Sequence, residues 1–492
     1  MVPRSHPAIF SQKFSLTSAL LVFSLVLNGL LLLRPPKHGQ LLSDDNWKGM
    51  GWTRKAAEEA EAVSLQYQCS GHGYVFVDTF ITDDNGSLAC ECNACYTGLD
   101  CSQFLPDCLA NANEGDPIFL EPFWIANAEA AATVVPAWYR MSYDVKDGLE
   151  ISLISPELEK QIRAIHELVG NAVTQGRYIV LGTGSLQLIN AAVYSLSPFH
   201  APNSSQVVSA SPYYGAFRDQ IEMFDSVESV WKGDARAWIK QTESLNSSTF
   251  IEFVTSPNNP KGILDESVLT GNNVRAVYDH AYYWPHYTGI PRPADEDVML
   301  FTLSKLTGHA GSRLGWAIVK DYDVYKRMYM YVRVNTFGVS HDTQLRATRL
   351  LKAIINGYRQ RQPKRLEDGQ TNEKHLLFHY AYRVMRSRWQ RVERIFSGSD
   401  RFSLQSLEPG NCTFFRRVTG PSPAYAWVKC EREEERECAG VFEKGGIIAR
   451  NGKAFEADRR YVRLSLIKRE DNFELLERRL RALVSSSAIV TY

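Results

Sequence analysis

Apolar residues fall three and four positions apart from Ser155 to Ala172, the spacing of one helix face. Ser155-Pro156-Glu157 opens that stretch with a capping residue, a proline suited to the first helical position and an early acid. The period then changes. Tyr178-Ile-Val-Leu181 is a short continuous apolar run ending at Gly182, the pattern of a strand buried on both faces. Similar runs recur at Gln206 to Ser209, Thr249 to Thr255, Arg275 to Tyr278, Met299 to Leu303 and Gly315 to Lys320, with helical patterns filling most of the gaps. Strands alternating with helices predict an α/β fold with a largely parallel central sheet. Long basic helices are predicted from about Tyr322 to Phe396, and a strand-rich region from about Phe402 to Ile467 predicts a smaller α+β part.

The N-terminal stretches have a different pattern. Phe14 to Leu33 holds 20 residues without a charge, and a helix rising ~1.5 Å per residue would cover the ~30 Å hydrocarbon core of a bilayer. Arg4 and Lys13 precede it and Arg34 and Lys37 follow it, so flanking charge orients it poorly. The run is longer than a typical signal-peptide core and no clear small-residue cleavage site follows it. An uncleaved anchor is therefore the expectation, with a cleaved signal peptide as the competing one. Residues 34–66 are polar, contain Pro35-Pro36 and an Ala/Glu-rich stretch, and predict a partly helical linker.

Six cysteines follow within 40 residues: Cys69, Cys90, Cys92, Cys95, Cys101 and Cys108. The stretch has few aliphatic residues, so crosslinks must supply its stability. Zinc is the rival for Cys92-x-x-Cys95, but no second pair follows at finger spacing, which favours disulfides and an oxidising compartment. Sequons at Asn85, Asn203, Asn246 and Asn411 agree with a lumenal, glycosylated chain. The expected organisation is a tail at 1–13, an anchor or signal segment at 14–33, a linker at 34–66 and a cysteine module at 67–110. A large domain at 111–396, with an N-terminal arm that reaches its active site, and a small domain at 397–492 complete it.

The chain has 492 residues, 44% hydrophobic and 22% charged, enough for two or three globular domains. Its 55 basic residues match 55 acidic ones, and the pI is about 7.2. Without a global basic field, nucleic acid is set aside as the main partner.

Candidate chemistry centres on Ser304-Lys305, behind an apolar run and followed by a Gly/Ser-rich turn with Arg313 eight residues on. A partly desolvated amine that can form an imine, beside a guanidinium that can hold a phosphate, is what pyridoxal phosphate needs. Three other segments strengthen this. Asp279 ends an apolar run, with Tyr282 three residues later: a carboxylate for a protonated pyridine nitrogen and a phenol for the ring oxygen. Ser256-Pro-Asn258-Asn259-Pro260 places an amide at the carboxyl edge of the sheet. Gly182-Thr-Gly184-Ser185 opens a helix and makes an anion site. His280, His286 and His309 lack metal-ligand spacing, so no metal is expected.

Together with Met141-Ser-Tyr143 and Asp279-His-Ala-Tyr-Tyr-Trp-Pro-His-Tyr287, these segments resemble the plant alliinase and tryptophan-aminotransferase-related family. The resemblance runs from Cys69 to Ile467 and implies a fold type I pyridoxal-phosphate transferase with an EGF-like module in front of it. It implies that Lys305 carries the cofactor, that Asp279 pairs with the pyridine nitrogen, and that Tyr282 and Asn259 contact the ring oxygen. Gly184, Ser185, Ser304 and Arg313 would hold the phosphate, Tyr143 would reach it from the other subunit of a homodimer, and Tyr214 would stack on the ring. Arg463 matches the arginine that grips the substrate carboxylate. The chain departs from the family at Leu186, where a threonine is usual and one hydroxyl contact to the phosphate is in doubt.

Six cysteines allow 15 connectivities; the resemblance implies Cys69 with Cys90, Cys92 with Cys101 and Cys95 with Cys108. A further pair, Cys430 with Cys438, would close the acidic loop Glu431 to Glu437. Tyr358 to Arg365 is expected to be an exposed basic loop. Gly182 to Ser185 and Asn335-Thr-Phe-Gly-Val-Ser340 look more like the tryptophan-aminotransferase-related branch. That branch implies transamination between an L-amino acid such as tryptophan and a 2-oxo acid, and so indole-3-pyruvate and auxin formation. Carbon–sulfur cleavage of S-alkyl cysteine sulfoxides is the alternative reaction, and a non-catalytic binding protein using the EGF-like module is the alternative of a different class.

Overall fold

The computed structural model describes residues 51, 54–58, 69–76, 89–144, 152–199, 202–359 and 375–486. The segment 14–33, the sequon at Asn85 and residues 360–365 of the basic stretch lie outside the described residues. Among the described residues no helix is long and apolar enough to cross a membrane. The chain divides into two units, Met1–Gln66 and Tyr67–Tyr492. In the first, residues 54–58 are helical, and Arg54 Nε donates to Glu58 one turn on at 2.6 Å.

In the second unit, seven strands form the central sheet: β1 (Tyr178–Gly182), β2 (Ser205–Ser209), β3 (Ser229–Asp234), β4 (Phe250–Thr255), β5 (Val274–Asp279), β6 (Val298–Thr302) and β7 (Gly315–Val319). Their order is β1-β7-β6-β5-β4-β2-β3, parallel except for β7, which runs against both neighbours. Strand β3 is not predicted from the sequence because it lies at the sheet edge, where only Ser229 is buried and the other positions are half-buried or exposed. Leu303 does not end β6 as expected. Thr302 accepts a hydrogen bond from Ser304 N at 3.2 Å and so caps the helix that Leu303 begins.

The helices that matter here are α1 (Pro156–Val169), α2 (Gly184–Leu196), α3 (Ala216–Phe224), α4 (Leu303–Thr307), α5 (Tyr322–Thr336), α6 (His341–Arg359), α7 (Leu377–Phe396) and α8 (Glu470–Ser485). Helix α1 stops short of Ala172 because Gly170 turns left-handed, with φ 70°. Alternation along the strands splits the core. Val180, Leu300 and Ala317 pack with Leu188 of α2 and Met328 of α5, whereas Leu181, Phe301 and Trp316 pack with Ile162 of α1, Leu351 of α6 and Trp389 of α7. Burial on both faces explains why these strands read as continuous apolar runs.

The C-terminal region holds an antiparallel sheet of β8 (Phe402–Leu404), β9 (Tyr425–Cys430), β10 (Arg450–Asn451) and β11 (Tyr461–Ser465), in the order β8-β9-β11-β10. Disulfides join Cys69 to Cys90, Cys92 to Cys101, Cys95 to Cys108 and Cys430 to Cys438. The cysteine module is fastened to α8. Asp471 accepts from Asn93 Nδ2 at 2.8 Å and lies 3.0 Å from His72 Nδ1, and Arg479 Nη2 donates to Pro106 O at 2.9 Å. Beyond the module, Ala110–Asn111 pairs with Ile447–Ile448, and Ser465 N donates to Ala112 O at 2.8 Å. This course brings residues 113–116 to the mouth of the central sheet.

Candidate active site

The carboxyl ends of parallel strands open onto a common edge, where an open α/β sheet binds its ligands. There Asp279 ends β5, Thr255 ends β4 ahead of the loop to Asn259, and α4 lifts Ser304 and Lys305 from the end of β6. Ser185 lies in the first turn of α2 after β1, and Arg313 just before β7, whose reversed direction starts it at the same edge. These residues line one cavity of about 270 Å³ together with Tyr214, Tyr282 and Arg463.

One wall is an anion cradle. Gly184 has φ 74°, and a Cβ there would fall 2.5 Å from Arg313 Nη2; a Cβ at Gly315 would fall 2.7 Å from Ser185 N. Both positions need glycine so that backbone N–H groups and the arginine can converge on one anion. Arg313 is exposed and Ser304 buried, with its hydroxyl 3.1 Å from Thr302 Oγ1. Gln187 braces this wall: its Oε1 accepts from Thr183 N at 2.8 Å, and its Nε2 donates to Asn335 Oδ1 at 3.2 Å and Thr336 Oγ1 at 3.0 Å. Leu186 lines the cavity and offers no hydroxyl.

The floor is charged and dry. Asp279 is 4% exposed, and one carboxylate oxygen accepts from Ala281 N at 3.0 Å. Burial pushes its carboxyl up to about 6, against the pull of that bond and of the His280 and Lys305 charges. A buried carboxylate that makes no ion pair among the described residues suits a ligand that brings a protonated nitrogen. Lys305 Nζ donates to Gly115 O. Tyr282 is buried, its hydroxyl hydrogen-bonded to that of Tyr425, and burial together with the neighbouring phenol raises its pKa well above the ordinary value. Burial likewise raises Tyr214, which lies at the entrance to α3.

The remaining wall comes from the C-terminal sheet. Arg463 on β11 is 4% exposed, donates Nη1 to Asn259 Oδ1 at 3.0 Å and Nη2 to Asn113 O at 2.6 Å, and stacks 3.9 Å over the Tyr425 ring. Its Nε is buried without a hydrogen-bond partner among the described residues. A buried guanidinium on the wall of the cavity fits an incoming carboxylate.

Tyr143 does not line the cavity. It is 73% exposed, packs against Phe337 with ring centroids 4.8 Å apart, and its carbonyl lies 3.3 Å from His341 Nε2. Gly115, Asp116, Thr255, Thr302, Tyr425 and Arg450 line the cavity and are not among the site residues the sequence singles out. Thr255 and Thr302 end the apolar runs that lead to Asn259 and Lys305, which is the signal that could have found them. His280 is held by Ser256 O at 2.7 Å and Glu296 at 3.2 Å, while His286 is fully buried and lowered to about 3 by burial. Of the sequons, Asn203 and Asn411 are exposed and Asn246 lies in the helix Thr242–Ser247.

The glycine cradle, the unpaired Asp279 and the lysine beside it form a donor set that fits pyridoxal phosphate. Comparisons with known proteins agree. The allinase family model matches residues 110–484, and an alliinase EGF-like domain model matches 51–108. Tryptophan aminotransferase-related protein 4 of Arabidopsis thaliana is 44% identical over 94% of this chain and 96% of its own length. Tryptophan aminotransferase-related protein 3 of the same plant is 47% identical over 89% and 92%, and alliin lyase of Allium cepa is 45% identical over 89% and 88%. Among solved structures, an aminotransferase from Staphylococcus aureus superposes with a TM-score of 0.54 over 76% of this chain and 94% of that one; at 16% identity it speaks to the fold alone. The chain belongs to the allinase family of pyridoxal-phosphate enzymes and carries that family's EGF-like domain ahead of its catalytic body.

Proposed function

We propose that the protein is an L-amino-acid:2-oxo-acid aminotransferase with an aromatic donor such as tryptophan. The observation that carries this reading is the match to the two tryptophan aminotransferase-related proteins, which for one of them spans 94% of this chain. Bound pyridoxal phosphate supplies an electron sink at the amino acid's Cα. The residues divide the remaining work. Gly184, Ser185, Ser304 and Arg313 would hold the phosphate, Asp279 would keep the ring nitrogen protonated, and Tyr282, Asn259 and Tyr214 would hold the ring. Arg463 grips the α-carboxylate and so presents the Cα hydrogen to Lys305 Nζ, which takes and returns the proton.

Carbon–sulfur cleavage is the second reading, favoured by the match to alliin lyases at 45% identity. The two reactions share every residue named above and part only after Lys305 has taken the proton. Incubation with tryptophan plus pyruvate or 2-oxoglutarate should yield the aromatic 2-oxo acid. Pyruvate released from alliin without an acceptor, and no product from tryptophan, would overturn the proposal.

The same reading places the protein in the endomembrane lumen or outside the cell as a homodimer, with Tyr143 completing the site of the other subunit. Residues 14–33 would be its membrane anchor and the sequons would carry glycans. Four disulfides and the EGF-like domain support that compartment.

A further inference from the structure

Tyr425 touches two members of the site, Tyr282 and Arg463, yet it belongs to none of the motifs that carry the family resemblance. Its side chain is 3% exposed. The hydroxyl bonds to that of Tyr282, and the ring lies 3.9 Å beneath the Arg463 guanidinium. A Cβ at Gly115 would fall 2.5 Å from the Tyr425 oxygen and 3.6 Å from Lys305 Nζ. The phenol oxygen and the lysine amine therefore share a space that the backbone leaves open only because residue 115 is glycine. The register of the C-terminal sheet accounts for the arrangement: Trp427 lies opposite Arg463, so Tyr425, two residues away, projects from the same face as the arginine.

We propose that Tyr425 is a positioning residue, whose hydroxyl aims the Tyr282 hydroxyl at the cofactor's ring oxygen while its ring fixes the plane of the Arg463 guanidinium for the substrate carboxylate. A phenol has one proton to give. If Tyr425 donates to the Tyr282 oxygen, the Tyr282 proton is left for the ring oxygen, and a directed chain of donors strengthens each link. The charged groups facing Tyr425 favour this direction. Burial raises its pKa, but the Arg463 and Lys305 cations together with the Tyr282 hydrogen bond hold it below the ordinary tyrosine value, with Asp116 opposing them. An acidified phenol is the better donor.

The proposal rests on the assignment of pyridoxal phosphate to Lys305 and Tyr282, and its test separates the two. The holoenzyme is titrated with pH while the visible absorbance of the Lys305-linked cofactor is followed, for the parent, Tyr425→Phe, Tyr425→Leu and Lys305→Ala. Tyr425→Phe keeps the ring under Arg463 and removes only the hydroxyl. Its spectroscopic pKa should rise by about one unit, a tenfold change in proton affinity, with KM for the amino acid within about twofold of the parent. Tyr425→Leu should show the same rise and, in addition, a KM raised roughly tenfold, as expected for loss of a desolvated cation–π contact. A pKa unchanged in Tyr425→Phe, or equal KM in the two variants, would overturn the proposal. A visible band that survives Lys305→Ala would overturn the cofactor assignment and the proposal with it.

Discussion

Replacing Arg463 with lysine keeps the charge and removes the geometry, so it isolates what the guanidinium contributes. Arg463 lines the cavity and uses Nη1 and Nη2 to hold Asn259 Oδ1 and Asn113 O. A lysine amine can reproduce one of those anchors or face the substrate, not both. The loss is one charge-assisted hydrogen bond, about 1.5–3 kcal/mol, together with the stacking over Tyr425, about 0.5–2 kcal/mol for a cation over a ring. At 1.4 kcal/mol per decade the combined loss lowers kcat/KM for the amino acid between about 30-fold and a few thousand-fold, mostly through KM. Steady-state kinetics across donor concentrations measures this, with the visible cofactor absorbance confirming that the variant is still loaded. A loaded Arg463→Lys enzyme within about threefold of the parent would refute the carboxylate role.

Three further outcomes follow from the same geometry. The cofactor-free protein should lose stability as pH rises from about 4 to about 6. The folded state holds the Asp279 proton up to about 6 while the unfolded chain releases it near 3.8, so the folded state binds more protons in that window. The effect amounts to roughly 3 kcal/mol in urea unfolding and should vanish in Asp279→Asn. Gly184→Ala forces a side chain into φ 74° with its Cβ 2.5 Å from Arg313 Nη2; the cost of about 1–2 kcal/mol should weaken pyridoxal-phosphate binding roughly tenfold in an absorbance titration. Changing both Cys430 and Cys438 to serine opens a loop with a sequence separation of 8 and should lower unfolding free energy by about 2–3 kcal/mol, read from denaturation midpoints under oxidising conditions.

Local pattern determined much of this protein. Strands β4, β6 and β7 announce themselves as apolar runs because both their faces are buried, and β1, β2 and β5 because most of their positions are at least half-buried. The lysine, carboxylate and amide of the site could be singled out because each stands just past the end of such a run, at or within a few residues of the edge where ligands of these folds bind. The cysteine module was legible from its spacing and its shortage of aliphatic residues. Tertiary structure decided the rest. Edge strand β3 escaped because only Ser229 of it is buried, which leaves no continuous apolar signal. The reversal of β7, which delivers Arg313 to the cradle, is set by how strands pair and not by their composition. The contact of Arg463 with Asn259 spans 204 positions and that of Tyr282 with Tyr425 spans 143. Periodicity reports which face of an element is buried, but not which distant side chain it will meet there. Gly115 and Tyr425 therefore join Lys305 only once the chain beyond the cysteine module runs along the C-terminal sheet and that sheet packs against the mouth of the central one.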